Sequence, residues 1–164
     1  MRTFVVCTIL AFCCLAVGCS GWAYKITTDN MFPAMKTGDI CFVNKFDDSA
    51  VQRFDIVVFN APEDIKQGEK GDVKGISRII GLPNEKIEIR QGRVYINDKL
   101  LDEPFNKVTD TENDFPAMMI PENEYFLLGD NRPQSVDSRF WKKPTIAKTD
   151  IVGKVAQIIP AEEK

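Results

Sequence analysis

The sequence predicts a mainly β domain, an antiparallel β-sheet or barrel, behind one N-terminal transmembrane helix. Residues Phe4 to Tyr24 carry no charge, and a helix of about 20 residues is long enough to span a bilayer. After this run, no stretch repeats apolar residues at the helical period. Short apolar runs instead end at glycine, proline or asparagine, as the strands of an antiparallel sheet do.

The N-terminal segment, residues 1–25, is interpreted as a single-pass membrane anchor. Trp22 and Tyr24 end the apolar run, as aromatic residues at a membrane interface do. The remainder, residues 26–164, is long enough for one domain with one core. We expect this domain to lie outside the cytoplasm, at the plasma or inner membrane.

Two other interpretations of the N-terminal segment remain open. It could be a cleaved secretory signal that begins with the charged residue Arg2. It could also be a lipoprotein signal, in which the small residues Ala16-Val17-Gly18 precede a lipid-anchored Cys19. Both alternatives also place the globular part outside the cytoplasm.

The strands of the β domain are predicted from apolar runs and from the turn residues that end them. Pro62 stops the second strand, and Gln91-Gly92 forms the tight turn of a hairpin. The stretch Phe105 to Met119 is polar and irregular, and it is predicted as a loop. The predicted strands are Ile40–Asn44, Asp55–Asn60, one within Gly75–Gly81, Lys86–Arg90, Val94–Ile96, Tyr125–Leu128 and Val152–Ile159.

Composition excludes several classes of function. The formal net charge of −3 gives no indication of a nucleic-acid partner. The chain has no histidine, which excludes a Ser-His-Asp triad, a Cys-His dyad and a histidine-ligated metal site. We therefore expect no cofactor and no metal, and a hydrolytic base would have to be a lysine, a carboxylate or a terminal amine.

The cysteines predict no disulfide framework in the β domain. Outside the N-terminal apolar run there is only Cys41, within the apolar sequence Ile40-Cys41-Phe42-Val43. Cys41 is therefore predicted to be a small buried hydrophobic residue rather than a reactive thiol.

One stretch directly after the apolar run resembles the nucleophile box of type I signal peptidases. It covers Thr27 to Asp39, and the family pattern reads roughly Ser-Gly-Ser-Met-x-Pro-Thr-Leu-x-x-Gly-Asp. Met31, Pro33 and Gly38-Asp39 stand where the pattern requires them. The position immediately before Met31 should be the serine nucleophile, and here it is Asn30.

Further boxes of the family follow in the same order. Asp55–Phe59 resembles the strand that lines the substrate cleft, and Ser77–Pro83 resembles the box that usually reads Lys-Arg-Val-Ile-Gly-Leu-Pro. Gly92–Asn97 with Leu101–Pro104 resembles the hairpin that follows. Gly129–Arg139 matches the last box and is the most specific signal. On these motifs the chain is identified as a member of the type I signal peptidase family, which implies a signal-peptidase-like β fold.

The resemblance implies that the catalytic dyad is lost. In the family a serine hydroxyl attacks the scissile carbonyl, and a desolvated neutral lysine accepts its proton. Here Asn30 holds the serine position, and Ser77, immediately before Arg78, holds the lysine position. An amide is not an adequate nucleophile, and a serine hydroxyl is not a base at neutral pH. Thr28 matches the hydroxyl that helps to form the oxyanion hole.

Neither neighbouring ionisable residue is expected to replace the lost groups. Lys74 lies three positions before Ser77, so on a strand its side chain points away from the site, and it is predicted to be a surface charge. Asp29 is predicted to be a solvated turn residue.

The residues of the last box, Gly129–Arg139, are interpreted as structural rather than catalytic. The resemblance implies that Asp137 and Arg139 pair with each other and with Arg78, and that Ser135 lies near the lysine position. Gly129, Asp130 and Asn131 are implied to shape the turn. A paired network of buried charges is costly to break even without catalysis.

The sequence thus predicts a signal-peptidase-like domain that no longer cleaves but keeps its cleft. Strand addition would let such a cleft bind an extended signal peptide or preprotein, or an active paralogous signal peptidase. Two alternatives remain open: an active signal peptidase I with a rearranged site, and a lipoprotein interaction domain with no function in the cleft.

Overall fold

The structure, a computed structural model, describes residues 21–47, 50–66, 71–106 and 113–162. These residues form two antiparallel sheets connected by loops and short 3-10 turns. The strands are β1 Gly21–Lys25, β2 Ile40–Lys45, β3 Ile56–Asn60, β4 Lys74–Gly81, β5 Lys86–Arg90, β6 Arg93–Ile96, β7 Lys99–Leu100, β8 Phe115–Met119, β9 Glu124–Leu128, β10 Ile146–Ala147 and β11 Ile151–Ile159.

The larger sheet has the strand order β1-β2-β11-β3-β4-β9-β10, and the smaller has the order β7-β6-β5-β8. The expected mainly β, antiparallel architecture is therefore confirmed. The β5–β6 hairpin turns at Gln91 and Gly92, which have φ values of 49° and 72°. Two consecutive residues with positive φ match the right-handed twist of the strands that they join.

Strands β3 and β4 are buried on both faces and position the site. Val57 packs into one apolar cluster with Ile79, whereas its neighbour Val58 packs into another with Tyr24 and Met31. Ile80 belongs to a third cluster, beneath the smaller sheet. Near-continuous apolar runs are expected for strands covered on both sides. Cys41 is fully buried, as predicted.

The predicted boundary between anchor and domain needs correction. β1 covers Gly21–Lys25 and pairs with β2. Tyr24 is 3% exposed and lies in the core, so the prediction that it sits at a membrane interface is wrong. Residues 1–20, with the rest of the predicted anchor and its two alternatives, lie outside the described residues. Within the part that is described, no helix is long and apolar enough to cross a membrane.

The loop predicted over Phe105 to Met119 is wrong at its C-terminal end, whereas Phe105 does lie in a turn. Phe115–Met119 forms β8, and Phe115 packs edge-on against Phe126 with ring centroids 5.0 Å apart. Among the described strands β8 pairs with β5 alone, so it is an edge strand there and tolerates Pro116. Phe105 packs on Phe54 at 5.0 Å. Residues 107–112 lie outside the description.

Candidate functional site

A cleft of about 310 Å³ separates the loop before β2 from the N-terminal half of β4. One wall is formed by Ile26–Asn30 together with Thr37. The opposite wall comes from the β3–β4 side of the sheet, and Gln134 with Val136 completes the lining. Two of the sequence-predicted positions, Asn30 and Ser77, thus face the same cleft from opposite walls.

The cleft contains an incompletely paired strand edge. β4 pairs with β3 over Lys74–Arg78, but with β9 only over Arg78–Gly81. The edge of Lys74–Ser77 that points away from β3 therefore has no strand beside it among the described residues. Apart from the Ile76 carbonyl, which Asn30 binds, backbone groups along such an edge are available to an incoming extended chain.

Asn30 crosses from one wall to the other. Its Oδ1 accepts a hydrogen bond from Thr28 Oγ1 at 2.7 Å, and its Nδ2 donates to the carbonyl oxygen of Ile76 at 2.7 Å. A carbonyl oxygen can only accept, so the Ile76 bond fixes which end of the amide faces β4. The hydroxyl of Thr28, the implied oxyanion donor, is consequently directed at Asn30.

Ser77 is 2% exposed and lies opposite Val57 of β3. It lines the cleft, as does the backbone of Ile76 that binds Asn30. The two positions that the resemblance assigns to the dyad, Asn30 and Ser77, are thus brought to one place by the fold.

The prediction that Lys74 is a surface charge is wrong. Its side chain is 8% exposed, its Nζ donates to Asn60 Oδ1 at 2.6 Å, and Asp72 Oδ2 lies 2.9 Å away. Asn60 is directly opposite Lys74 in the β3–β4 ladder, which explains why the ammonium group is retained against the sheet. Its nitrogen is directed at these two residues and is not offered to a serine hydroxyl.

Among the described residues, the last box takes part in three buried ion pairs, of which one joins Arg132 to Glu103. Asp137 pairs with Arg139, whose Nε lies 2.8 Å from Oδ1, as the resemblance implied. Arg78 instead pairs with Asp130, with Nε at 2.8 Å from Oδ1, so its implied pairing with Asp137 is wrong. The β4–β9 register explains this result: Arg78 lies opposite Leu128, and Asp130 follows two residues later on the same side.

The same box also holds the Asn30 loop in place. The backbone N–H of Asn131 donates to Asn30 O at 3.0 Å, and its side-chain amide donates to Asp29 O at 3.0 Å. A Cβ at Gly129 would approach Ser135 Oγ to 2.2 Å and Asn30 O to 2.6 Å, so this position must be glycine.

Ser135 and Asp29 differ in their surroundings. Ser135 Oγ is buried and has no hydrogen-bond partner among the described residues. Asp29 is exposed in a turn, as predicted, and its Oδ1 accepts from the backbone N–H of Thr37 at 2.8 Å.

Three groups of the cleft were not predicted from the sequence: Lys66, Gln134 and the Ile76 carbonyl. No local sequence pattern marks a residue that lines a cleft.

The sequence also resembles known proteins over most of its length. The family model described as "Signal peptidase, peptidase S26" matches residues 1–159. Signal peptidase I S of Bacillus subtilis strain 168 is 35% identical over 136 residues, which cover 71% of this chain and 65% of that protein. Signal peptidase I V of the same strain is 33% identical over 148 residues, which cover 81% and 82%.

A solved structure agrees with these relatives. A signal peptidase I from Enterococcus faecalis V583 superposes with a TM-score of 0.50 at 31% identity, and the match covers 65% of this chain and 97% of that chain. The chain spans 55% to 65% of the length of several curated relatives that it matches. The order of the boxes, the fold and these matches agree, and the chain belongs to the signal peptidase family, peptidase S26.

Proposed function

We propose that this protein is a catalytically inactive signal peptidase homologue that binds extended peptides in the cleft. The observation that carries the proposal is the position of Asn30, whose amide bonds both Thr28 and Ile76. An amide in the nucleophile position cannot attack a carbonyl. The hydroxyl of Thr28 donates its hydrogen bond to that amide, so it does not donate to a developing oxyanion.

Binding in the cleft would use the edge of β4. An extended chain laid beside Lys74–Ser77 adds a strand, and its backbone provides hydrogen bonds that do not depend on its sequence. Asn30 already donates to the Ile76 carbonyl, so an added strand would pair with the other backbone groups of this edge or displace that bond. The described geometry therefore supports recognition of an extended segment rather than of a folded surface.

The occupant would be a signal peptide or preprotein, or an exposed segment of an active paralogous signal peptidase. We place the domain outside the cytoplasm at the plasma or inner membrane, held there by a segment within residues 1–20. An active endopeptidase with a rearranged site is the alternative, and its base would have to be other than Lys74, which is bound to Asn60 and Asp72.

The test incubates the full-length protein with a preprotein and measures both cleavage and binding. We expect retention of the preprotein without processing above the uncatalysed background, for wild type and Ser77→Ala alike. Specific cleavage after a small-x-small sequence that is abolished by Thr28→Ala or Ser77→Ala would establish the active alternative. Absence of both cleavage and binding would refute a function in the cleft.

A further inference from the structure

Two lysines line the cleft on the β3–β4 side. Lys74 is the first residue of β4, and Lys66 follows the short 3-10 turn Glu63–Ile65. Apolar side chains, among them Phe59 and Ile65, line the cleft beside them. Asp29, on the opposite wall, is the one carboxylate among the described lining residues. Among the described lining residues, the two lysines therefore outnumber the carboxylates.

The lysines and their present partners differ in burial. The side chains of Lys74 and Lys66 are 8% and 20% exposed, whereas those of Asp72 and Glu63, with which they pair, are 77% and 88% exposed. Exposed carboxylates are well solvated, and they contribute little when they pair across the surface. They can rotate into water at little cost. Lys74 then keeps its bond to Asn60 Oδ1, and its other two N–H donors, with those of Lys66, can bind a ligand.

The charges of both lysines already act on one carboxylate, that of Asp72. The pKa of Asp72 is held below its usual value first by its hydrogen bond with Lys74, next by the charge of Lys74, and also by the charge of Lys66. A second carboxylate that entered from the cleft side would lie in the same combined field. The less water it retained there, the stronger that attraction would be.

We propose that Lys66 and Lys74 recognise a side-chain carboxylate, so that the cleft prefers extended segments with Glu or Asp at one position. This inference rests on the proposed peptide-binding function and adds a selectivity to it. A segment paired with Lys74–Ser77 would pass Lys74 as it leaves the β4 edge, which brings one of its side chains to the lysine pair. Because the proposed occupant continues through the cleft, its carboxylate comes from a side chain and not from a chain terminus.

The experiment measures binding of short fluorescent peptides to the full-length protein by fluorescence anisotropy. The peptides are blocked at both termini and differ at a single scanned position, which is Glu, Gln or Lys. At one register we expect the Glu peptide to bind about tenfold more tightly than the Gln peptide, with the Lys peptide weakest. The preference should decrease as salt is added.

Three variants of the protein test the role of the lysine pair. Lys74→Met and Lys66→Met should each bring the ratio of the Glu-peptide affinity to the Gln-peptide affinity towards one. Asp72→Asn removes the carboxylate that competes with the peptide for Lys74, and it should strengthen binding of the Glu peptide. Lys86→Met is the matched control, because Lys86 pairs with Asp98 on the smaller sheet, away from the cleft.

The outcomes separate this inference from the proposed function. Equal binding of the Glu, Gln and Lys peptides would overturn the inference and leave the proposed function standing. Binding of none of them would refute the proposed function itself. A preference for a free C-terminal carboxylate over the Glu side chain would also overturn the inference. If Lys74→Met does not fold, Lys66→Met and Asp72→Asn still decide the question.

Discussion

Arg78 and Asp130 form a two-point ion pair next to the site. Arg78 Nε lies 2.8 Å from Asp130 Oδ1, and Nη2 lies 2.5 Å from Oδ2. The third nitrogen, Nη1, donates to Phe54 O at 2.8 Å, and the ring of Phe105 covers the guanidinium at 4.1 Å. The pair therefore ties β4 to the turn after β9 and is largely shielded from water.

Removing the carboxylate of this pair should be strongly destabilising. Asp130→Ala leaves a buried guanidinium without a counter-charge, and we expect a loss of about 3–5 kcal/mol in the free energy of unfolding. Chemical denaturation of the full-length protein measures this value. The control is Asp98→Asn, which removes the charge of an exposed pair with Lys86, keeps a residue type that tolerates the positive φ of 65° there, and should leave the midpoint nearly unchanged. Equal effects of the two changes would show that the Arg78 pair is not buried.

The orientation of the Asn30 amide can be tested with an isosteric change. Asn30→Asp replaces the donor that faces Ile76 O with an acceptor, which should cost about 1–3 kcal/mol at neutral pH. The introduced carboxyl would have a raised pKa in the folded state, so the loss should diminish as the pH falls and the group protonates. Thermal melts over a pH series measure the effect. The exposed Asn44→Asp is the control, and the same loss there would contradict the bond to β4.

Glu124 should contribute a pH-dependent term to stability. Burial raises the pKa of Glu124, but hydrogen bonds from Lys143 and Thr145, with the charge of Lys143, lower it below the usual 4.5. Because the pKa of Glu124 is lower in the folded than in the unfolded state, its ionised carboxylate stabilises the fold. This stabilisation is complete at a pH above the unfolded-state pKa, and it is lost as the pH falls through the folded-state pKa.

The variant Glu124→Gln isolates this term. The stability difference between wild type and Glu124→Gln should be largest near neutral pH and should shrink below about pH 4.5, as measured by urea denaturation at each pH. The exposed neighbour Glu122→Gln controls for the loss of one negative charge. A difference that grows on acidification would show that the pKa shift has the opposite sign.

The proposed loss of the catalytic dyad can be tested by reconstruction. Asn30→Ser restores a nucleophile without a base, and Ser77→Lys restores a base with nothing to activate, so each single variant should remain inactive. Groups that act as a unit are strongly non-additive. The double variant should cleave a preprotein detectably, with activity that rises with pH as the introduced lysine deprotonates.

The surroundings of the site favour such a reconstruction. Loss of the amide frees Thr28 from Asn30, and the buried Ser135 Oγ has no partner among the described residues and could receive a hydrogen bond. A single variant as active as the double would refute the dyad argument. A folded but inert double variant would show that the walls of the cleft have also changed.

The central strands could be predicted from sequence because burial leaves a pattern in their residues. Lys86–Arg90 has the predicted bounds, and the bounds of most other predicted strands differ by one residue. β8 was missed because Pro116 argues against a strand unless that strand is known to be at an edge. β1 was missed because apolar residues favour a strand and a membrane helix equally over so short a run.

The site was predictable in its positions but not in its contacts. The boxes identified Asn30, Ser77 and Arg78, yet the partner of Asn30 is a carbonyl 46 residues away. The choice of Asp130 over Asp137 as the partner of Arg78 depends on the β4–β9 register, which is a property of the assembled sheet.

The pairing of β1 with β2 determines where the chain can be shortened. Gly21–Lys25 covers one edge of Ile40–Lys45 along its length, from Gly21 opposite Asn44 to Lys25 opposite Ile40. A recombinant protein that began at Ile26 would expose this edge as a row of unsatisfied backbone groups and would uncover Cys41 and Val43, which share a cluster with Tyr24. Such an edge recruits strands from other molecules. A soluble preparation should therefore begin no later than Gly21, or the truncation itself will promote aggregation.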